Sequence, residues 1–221
     1  MTATPFPGSP KLVRGGLVQV DPTSGAVLRV ITLQYNPDTL TRTLQIQGIG
    51  DNGERSEVLR LKGPAVETIK VEAELDAADQ LEDPASNPNV VQYGLHPQIA
   101  ALESLLNPSV SDLIDQDTLA QGGTLEIAPA EAPLALFVWS AQRVLPVRVT
   151  EFSVTEEAFD PLLNPIRAKV SLGLRVLTVD DLPFTHRGST LFLSYLQRKQ
   201  TLAALAPSAA LDALGIGGLP S

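Results

Sequence analysis

The sequence contains no cysteine, and it has only two histidines, one tryptophan and one methionine among 221 residues. Without cysteine there is no disulfide framework and no thiolate site for zinc or an iron–sulfur cluster. His96 and His186 alone leave little metal chemistry, so no cofactor or metal is expected. Basic residues are also scarce: 16 Lys and Arg against 25 Asp and Glu give a net charge of −9. A chain this acidic lacks the positive footprint that phosphate wrapping requires, so nucleic acid is not an expected partner. No run of 18 apolar residues occurs, and the opening MTATPFPGSP has neither a basic start nor an apolar core segment. The expectation is a soluble, unsecreted protein without membrane insertion, and the missing cysteine fits assembly in a reducing cytoplasm. Proline and glycine, in contrast, are plentiful at 18 and 16 residues. They suggest many turns between short strands.

Apolar residues alternate with polar ones along much of the chain, which is the signature of strands with one buried face. The pattern is cleanest in two segments. Ile69, Val71, Ala73 and Leu75 oppose Lys70, Glu72 and Glu74; Ile166, Ala168, Val170, Leu172, Leu174 and Val176 oppose Arg167, Lys169, Ser171 and Arg175. Weaker strands are expected over 12–20, 26–35, 40–47, 57–61, 124–127 and 134–139. In 144–154 the apolar parity switches between Val149 and Phe152, which a bulge or two-sided burial near Glu151 would account for. Turn chemistry falls between these runs at DPTSG, NPD, DNG and NP.

Two stretches carry helical spacing, His96 to Leu106 and Ser189 to Leu205, with Gly188 and Ser189 offering a cap to the second. The acidic segment 76–89 and the stretch 107–123 read as loose excursions around the first helix. The organisation expected is a β domain over 1–180 with a helical insert at about 90–123, then a helical appendage and apolar tail over 181–221.

Catalytic motifs are thin. Gly15–Gly16 and Gly122–Gly123 lack the surroundings of a nucleotide loop. Asp180, Asp181 and His186 are near enough in sequence for a carboxylate to orient an imidazole, but no nucleophile accompanies them. Glu156, Glu157 and Asp160 are read as a surface turn ahead of a cation site, and Trp139 as a core aromatic because no basic residue interleaves with it.

The segment Phe137 to Leu177, FVWSAQRVLPVRVTEFSVTEEAFDPLLNPIRAKVSLGLRVL, resembles the tube-to-baseplate adaptor proteins of contractile injection systems. The matching features are a tryptophan ending a strand, the strand VLPVRVTEFSVTEEAF, the turn FDPLLNPIRA and the long alternating strand after it. LQYNPDTL and the strand Ile69 to Leu75 agree, so the likeness spans roughly 10–180. It implies a mainly β chain with short helices, folded as a tail-tube-type split antiparallel β-barrel with a helical insert and a C-terminal helix. It also implies a non-enzymatic ring, six-membered, joining spike and baseplate to the inner tube, with spike, tube, baseplate and sheath proteins as partners. The chain departs from the family after Thr178, where the usual LysM module is missing.

On that basis the turn residues Phe159, Asp160, Leu163, Asn164, Pro165 and Ile166 are candidates for contact between rings, on a hairpin expected to project from the sheet. Lys70, Glu72, Glu74, Arg167, Lys169 and Arg175 are candidates for a polar, lumen-facing strand surface. Leu191, Tyr195, Leu211, Leu214 and Ile216 are candidates for baseplate docking. The alternatives are a monomeric β-barrel that binds a small ligand or carbohydrate, and a hydrolase using Asp181 and His186.

Overall fold

A computed structural model describes residues 13–48, 60–122 and 132–219. The strand expected at 124–127 and the DNG turn lie outside the described residues, as does 57–59 of the strand expected at 57–61, whose Leu61 forms an isolated antiparallel bridge to Gly48. Among the described residues seven strands are present: β1 (Gly16–Val20), β2 (Val27–Thr32), β3 (Leu40–Gln45), β4 (Val66–Asp76), β5 (Leu134–Ser140), β6 (Arg143–Phe159) and β7 (Pro165–Val176). Between β4 and β5 come α1 (Ala78–Leu81), α2 (Pro88–Tyr93), α3 (His96–Glu103) and α4 (Val110–Gln121), and α5 (Arg187–Ala204) follows β7. A short 3₁₀ turn, Leu211–Leu214, lies in the tail.

All strands join one antiparallel sheet in the order β2-β1-β5-β6-β7-β4-β3. This corrects the expected split barrel. Closure requires the two outer strands to bond to each other, but among the described residues β2 bonds only to β1 and β3 only to β4. Alternation in a sequence decides which face of a strand is buried; it carries no information on whether the sheet's ends meet. The ligand-barrel alternative loses its enclosing wall with the same observation.

β7 is bonded along its length on both sides, to β4 from Arg167 to Arg175 and to β6 from Pro165 to Val176. The two alternating segments of the sequence therefore lie side by side, and their apolar sets meet. Ile69, Val71, Ala73, Leu75, Ala168, Val170, Leu172, Leu174 and Val176 are all buried, with Leu95 at the N-cap of α3, Ile99 and Leu102 of α3, and Phe192 and Tyr195 of α5 in the same cluster. Each such Leu, Ile or Val removed from water contributes about 1.5–3 kcal/mol. Val20, Leu134 and Leu136 form a smaller cluster against which Leu191 packs. The register of β6 on β7 shifts between Val149 and Glu151, so a bulge accounts for the parity switch. Gly173 sits opposite this bulge, where a Cβ would come within 2.9 Å of the Glu151 Cβ.

The motif LQYNP carries the chain from β2, at one edge of the sheet, to β3 at the other. Its amides do the fixing. Gln34 donates to the Asp76 carbonyl at 2.6 Å and accepts from the Asp76 N–H at 2.9 Å, while Asn36 donates to the Val13 carbonyl at 2.8 Å and accepts from the Gly15 N–H at 2.9 Å. Each amide satisfies backbone groups beyond a strand's end.

The helical insert braces the β6–β7 turn. The Leu95 N–H donates to the Pro165 carbonyl at 2.8 Å, and Asn164 Nδ2 donates to the Gln92 carbonyl at 3.3 Å. The hairpin therefore does not project freely; its inner side rests on the α2–α3 junction and only its tip stands clear. That junction turns at Gly94, whose φ of 56° is open to glycine alone and where a Cβ would collide with the Pro165 carbonyl. Gly94→Ala is expected to cost about 1–3 kcal/mol in urea unfolding. Gly217→Ala, where nothing lies within 4 Å, is expected to leave the midpoint unchanged.

Candidate functional site

The polar counterpart of the buried alternation forms one continuous surface. Pairing places Lys70 beside Gly173, Glu72 beside Ser171, Glu74 beside Lys169 and Asp76 beside Arg167 on β4 and β7. On the side opposite the core, Lys70, Glu72, Glu74, Arg167 and Lys169 are exposed and Arg175 is half-buried. Opposite charges alternate across the strands. Arg167 pairs with Asp76 at 2.9 Å, Lys169 with Glu157 at 2.8 Å and Lys70 with Glu151 at 3.5 Å. Pairs this exposed contribute at most about 1 kcal/mol each. Their effect is to leave a hydrated surface of balanced charge. A groove of about 530 Å³ runs along it, between the Tyr35–Thr39 crossing and Glu72, Glu74, Thr155 and Lys169.

At the hairpin tip, Asp160 organises the turn. Its carboxylate accepts from the Leu162 N–H at 2.7 Å, the Asn164 N–H at 2.8 Å and Asn164 Nδ2 at 2.8 Å. Hydrogen bonds from the Asn164 side chain, then from the turn's backbone, hold this carboxyl below its ordinary value. The turn so fixed displays Leu162 and Leu163 at 78% and 76% exposure, with Leu163 at a positive φ of 66°. Phe159 is exposed at the end of β6, whereas Pro165 is buried and Ile166 half-buried.

The residues proposed for docking divide. Leu211, Leu214 and Ile216 are exposed in the tail. Leu191 and Tyr195 face into the fold, Leu191 against the smaller apolar cluster and Tyr195 into a buried ionic network.

That network was not evident from the sequence. Glu67 has the parity of the buried set in β4 and is 3% exposed. Arg42 on β3 donates to its Oε1 at 2.6 Å through Nε, Lys199 on α5 donates to its Oε2 at 3.0 Å, and the Arg42 guanidinium also donates to the Tyr195 hydroxyl at 3.0 Å. Lys199 lies 4.4 Å over the Tyr195 ring. The arrangement ties the C-terminal helix to the β3–β4 edge. Burial pushes the Glu67 carboxyl up, but hydrogen bonds from Arg42 and then Lys199 outweigh it and hold the group below its ordinary 4.5.

Beside the network lies a cleft of about 250 Å³ lined by Trp139, Ser140, Gln142, Arg143, Tyr195 and Lys199. Trp139 stacks on Phe137 with ring centres 5.9 Å apart, as a core aromatic would, yet cationic side chains border its outer part. Residues from separate elements supply them, so no interleaving was visible along the chain.

Asp181 and His186 perform different local tasks. Asp181 pairs with Arg175 at 2.7 Å and accepts from the Thr178 N–H at 3.0 Å, while His186 Nδ1 caps α5 by accepting from the Gly188 N–H at 3.0 Å. Glu157 is drawn to Lys169 and Asp160 into its turn, which separates the acidic side chains around 156–160. Among the described residues, no helix is long and apolar enough to cross a membrane.

No protein-family model and no curated protein matches the chain. Among solved structures it is similar to a chain in the tail of an empty GTA particle with C6 symmetry, at 11% identity and a TM-score of 0.28, over 73% of this chain and 90% of that one.

The Glu67 network makes a pH-dependent prediction. Because the folded carboxyl titrates below its ordinary value, its contribution is fully present above pH about 4.5 and disappears as pH falls through the folded value. Glu67→Gln is expected to cost about 3 kcal/mol at neutral pH, the low end for a broken buried pair because Arg42 and Lys199 reach water. Urea midpoints measured from pH 7 downward should fall more steeply for the natural chain than for the variant.

Proposed function

We propose that this protein is a structural, non-enzymatic adaptor ring that joins the spike and baseplate of a contractile injection particle to its inner tube, assembled in the cytoplasm. The observation that carries the reading is the unsatisfied backbone of the sheet. Among the described residues β2 and β3 each bond on one side only, and β6 beyond Val147 bonds only to β7. Open edges of this length present unpaired N–H and C=O groups as a template for another chain, and identical subunits that pair edge to different edge form a ring when the rotation closes.

The remaining surfaces suit that assembly. A hydrated face of balanced charge suits the wall of a water-filled channel, with Lys70, Glu72, Glu74, Arg167, Lys169 and Arg175 turned to the lumen. The tip at Leu162 and Leu163, rigid through Asp160 and Asn164, suits contact with the ring above or below. Leu211, Leu214 and Ile216 suit the baseplate contact that a LysM module makes in the family the hairpin resembles. Six subunits is the number that this resemblance implies.

The reading is tested by negative-stain imaging of the chain co-purified with the products of neighbouring coding sequences. Rings or tube-capped particles are expected; a chain that co-purifies with neither tube nor spike overturns the proposal. The tip has its own variant, Leu162→Ser with Leu163→Gly. Glycine relieves the positive φ at 163, so the thermal midpoint should stay level or rise slightly while ring stacking is lost. Normal particles from this variant would remove the tip from the interface.

A further inference from the structure

Helix α4 is amphipathic with its sides reversed. Its more sheltered residues are the polar Asp112 and Gln116, whereas Val110, Leu113, Ile114 and Leu119 are 72%, 51%, 59% and 51% exposed. A helix completing its own chain's core shows the opposite arrangement. No residue of α4 is buried, and its twelve residues are about the length at which an isolated helix is marginal in water. The N-terminus is held by a capping box between Ser109 and Asp112. On the outward side Asp117 lies one turn from Leu113 and Ile114, so a carboxylate sits within the apolar stripe. α4 carries three aspartates and no basic residue. Its partner must offer an apolar notch bordered by cations.

The cleft beside Trp139 has that character. On a chain of net charge −9, Arg42, Arg143 and Lys199 converge there, and 182–211 contains no Asp or Glu at all. Glu67 offsets Arg42 and Lys199. Arg198 reaches the Ala141 carbonyl, and Arg143 makes no ion pair among the described residues. Trp139 and Leu202 supply apolar walls.

We infer that α4 of one copy docks into the Trp139–Arg143 cleft of a second copy, with Ile114 against the apolar walls and Asp117 paired with Arg143. The contact is head to tail. α3, which leads into α4, brings Leu105 to the Leu134 end of β5, while the cleft opens at its Trp139 end, about 20 Å away for a strand of seven residues. Two different patches joined in this way continue around a ring. The inference rests on the ring reading and deepens it by naming a contact between neighbouring copies.

The test is a charge exchange read by sedimentation velocity over a concentration series of the full chain. Asp117→Lys and Arg143→Glu are each expected to weaken self-association by about tenfold or more, and high salt to weaken the natural chain likewise. An equimolar mixture of the two variants should recover association, because every junction then pairs opposite charges; recovery also shows that both variants are folded. If each variant associates like the natural chain, or if the mixture fails to recover, the inference is overturned. A natural chain that stays monomeric throughout overturns it too. The ring reading is judged separately, by the particle images.

Discussion

The pairing of β7 with both β4 and β6 is the constraint from which the other features follow. With a side-chain period of two, slipping either ladder by one residue would turn Val170, Leu172 and Leu174 outward and Lys169, Ser171 and Arg175 inward. The register is therefore fixed by the cost of exposing a whole apolar row. It is pinned locally by the bulge after Val149, which faces Gly173 because no larger residue fits there. Once these three strands are aligned, the buried face receives α3 and α5, and the hydrated face receives its alternating charges.

Much of this was legible along the chain because strict alternation is a local property. The segments 69–75 and 166–176, the parity switch in β6 and the two helices beginning near 96 and 189 can all be read from residue spacing. Three other features depend on distant parts of the molecule. Sheet closure is decided at β2 and β3, whose sequences carry no mark of it. α4 falls in a stretch expected to be loose because Val110, Leu113 and Ile114 keep helical spacing for little more than one turn before Asp117 interrupts it. The Glu67 network was within reach, since Glu67 continues the parity of Ile69 and Val71; it was hidden because Val66 and Glu67 precede the cleanest alternation, and its cations come from β3 and α5.

Charge is distributed in the same uneven way. The chain is acidic as a whole, but the acids gather on β4, α1, α4 and the hairpin while α5 carries only basic residues among its charges. Glu67 is where this separation is bridged, so one carboxylate both fastens the last helix and limits the positive charge of the cleft beside it. That helix then leads into a tail with exposed leucines and no fold of its own to bury them in. The helix position therefore rests on this buried group together with the apolar packing of Leu191, Phe192 and Tyr195.

The β2 edge has a kinetic consequence. Val27, Leu28 and Val30 are each more than half exposed on a strand with no proline or lysine to discourage pairing. An isolated copy therefore offers this edge to any extended chain it meets, itself included, and the time the edge stays uncovered sets how often mispairing occurs. For the ring proposed above, supply of the neighbouring components, more than the intrinsic stability of the subunit, would then govern how much of the protein ends in a productive state.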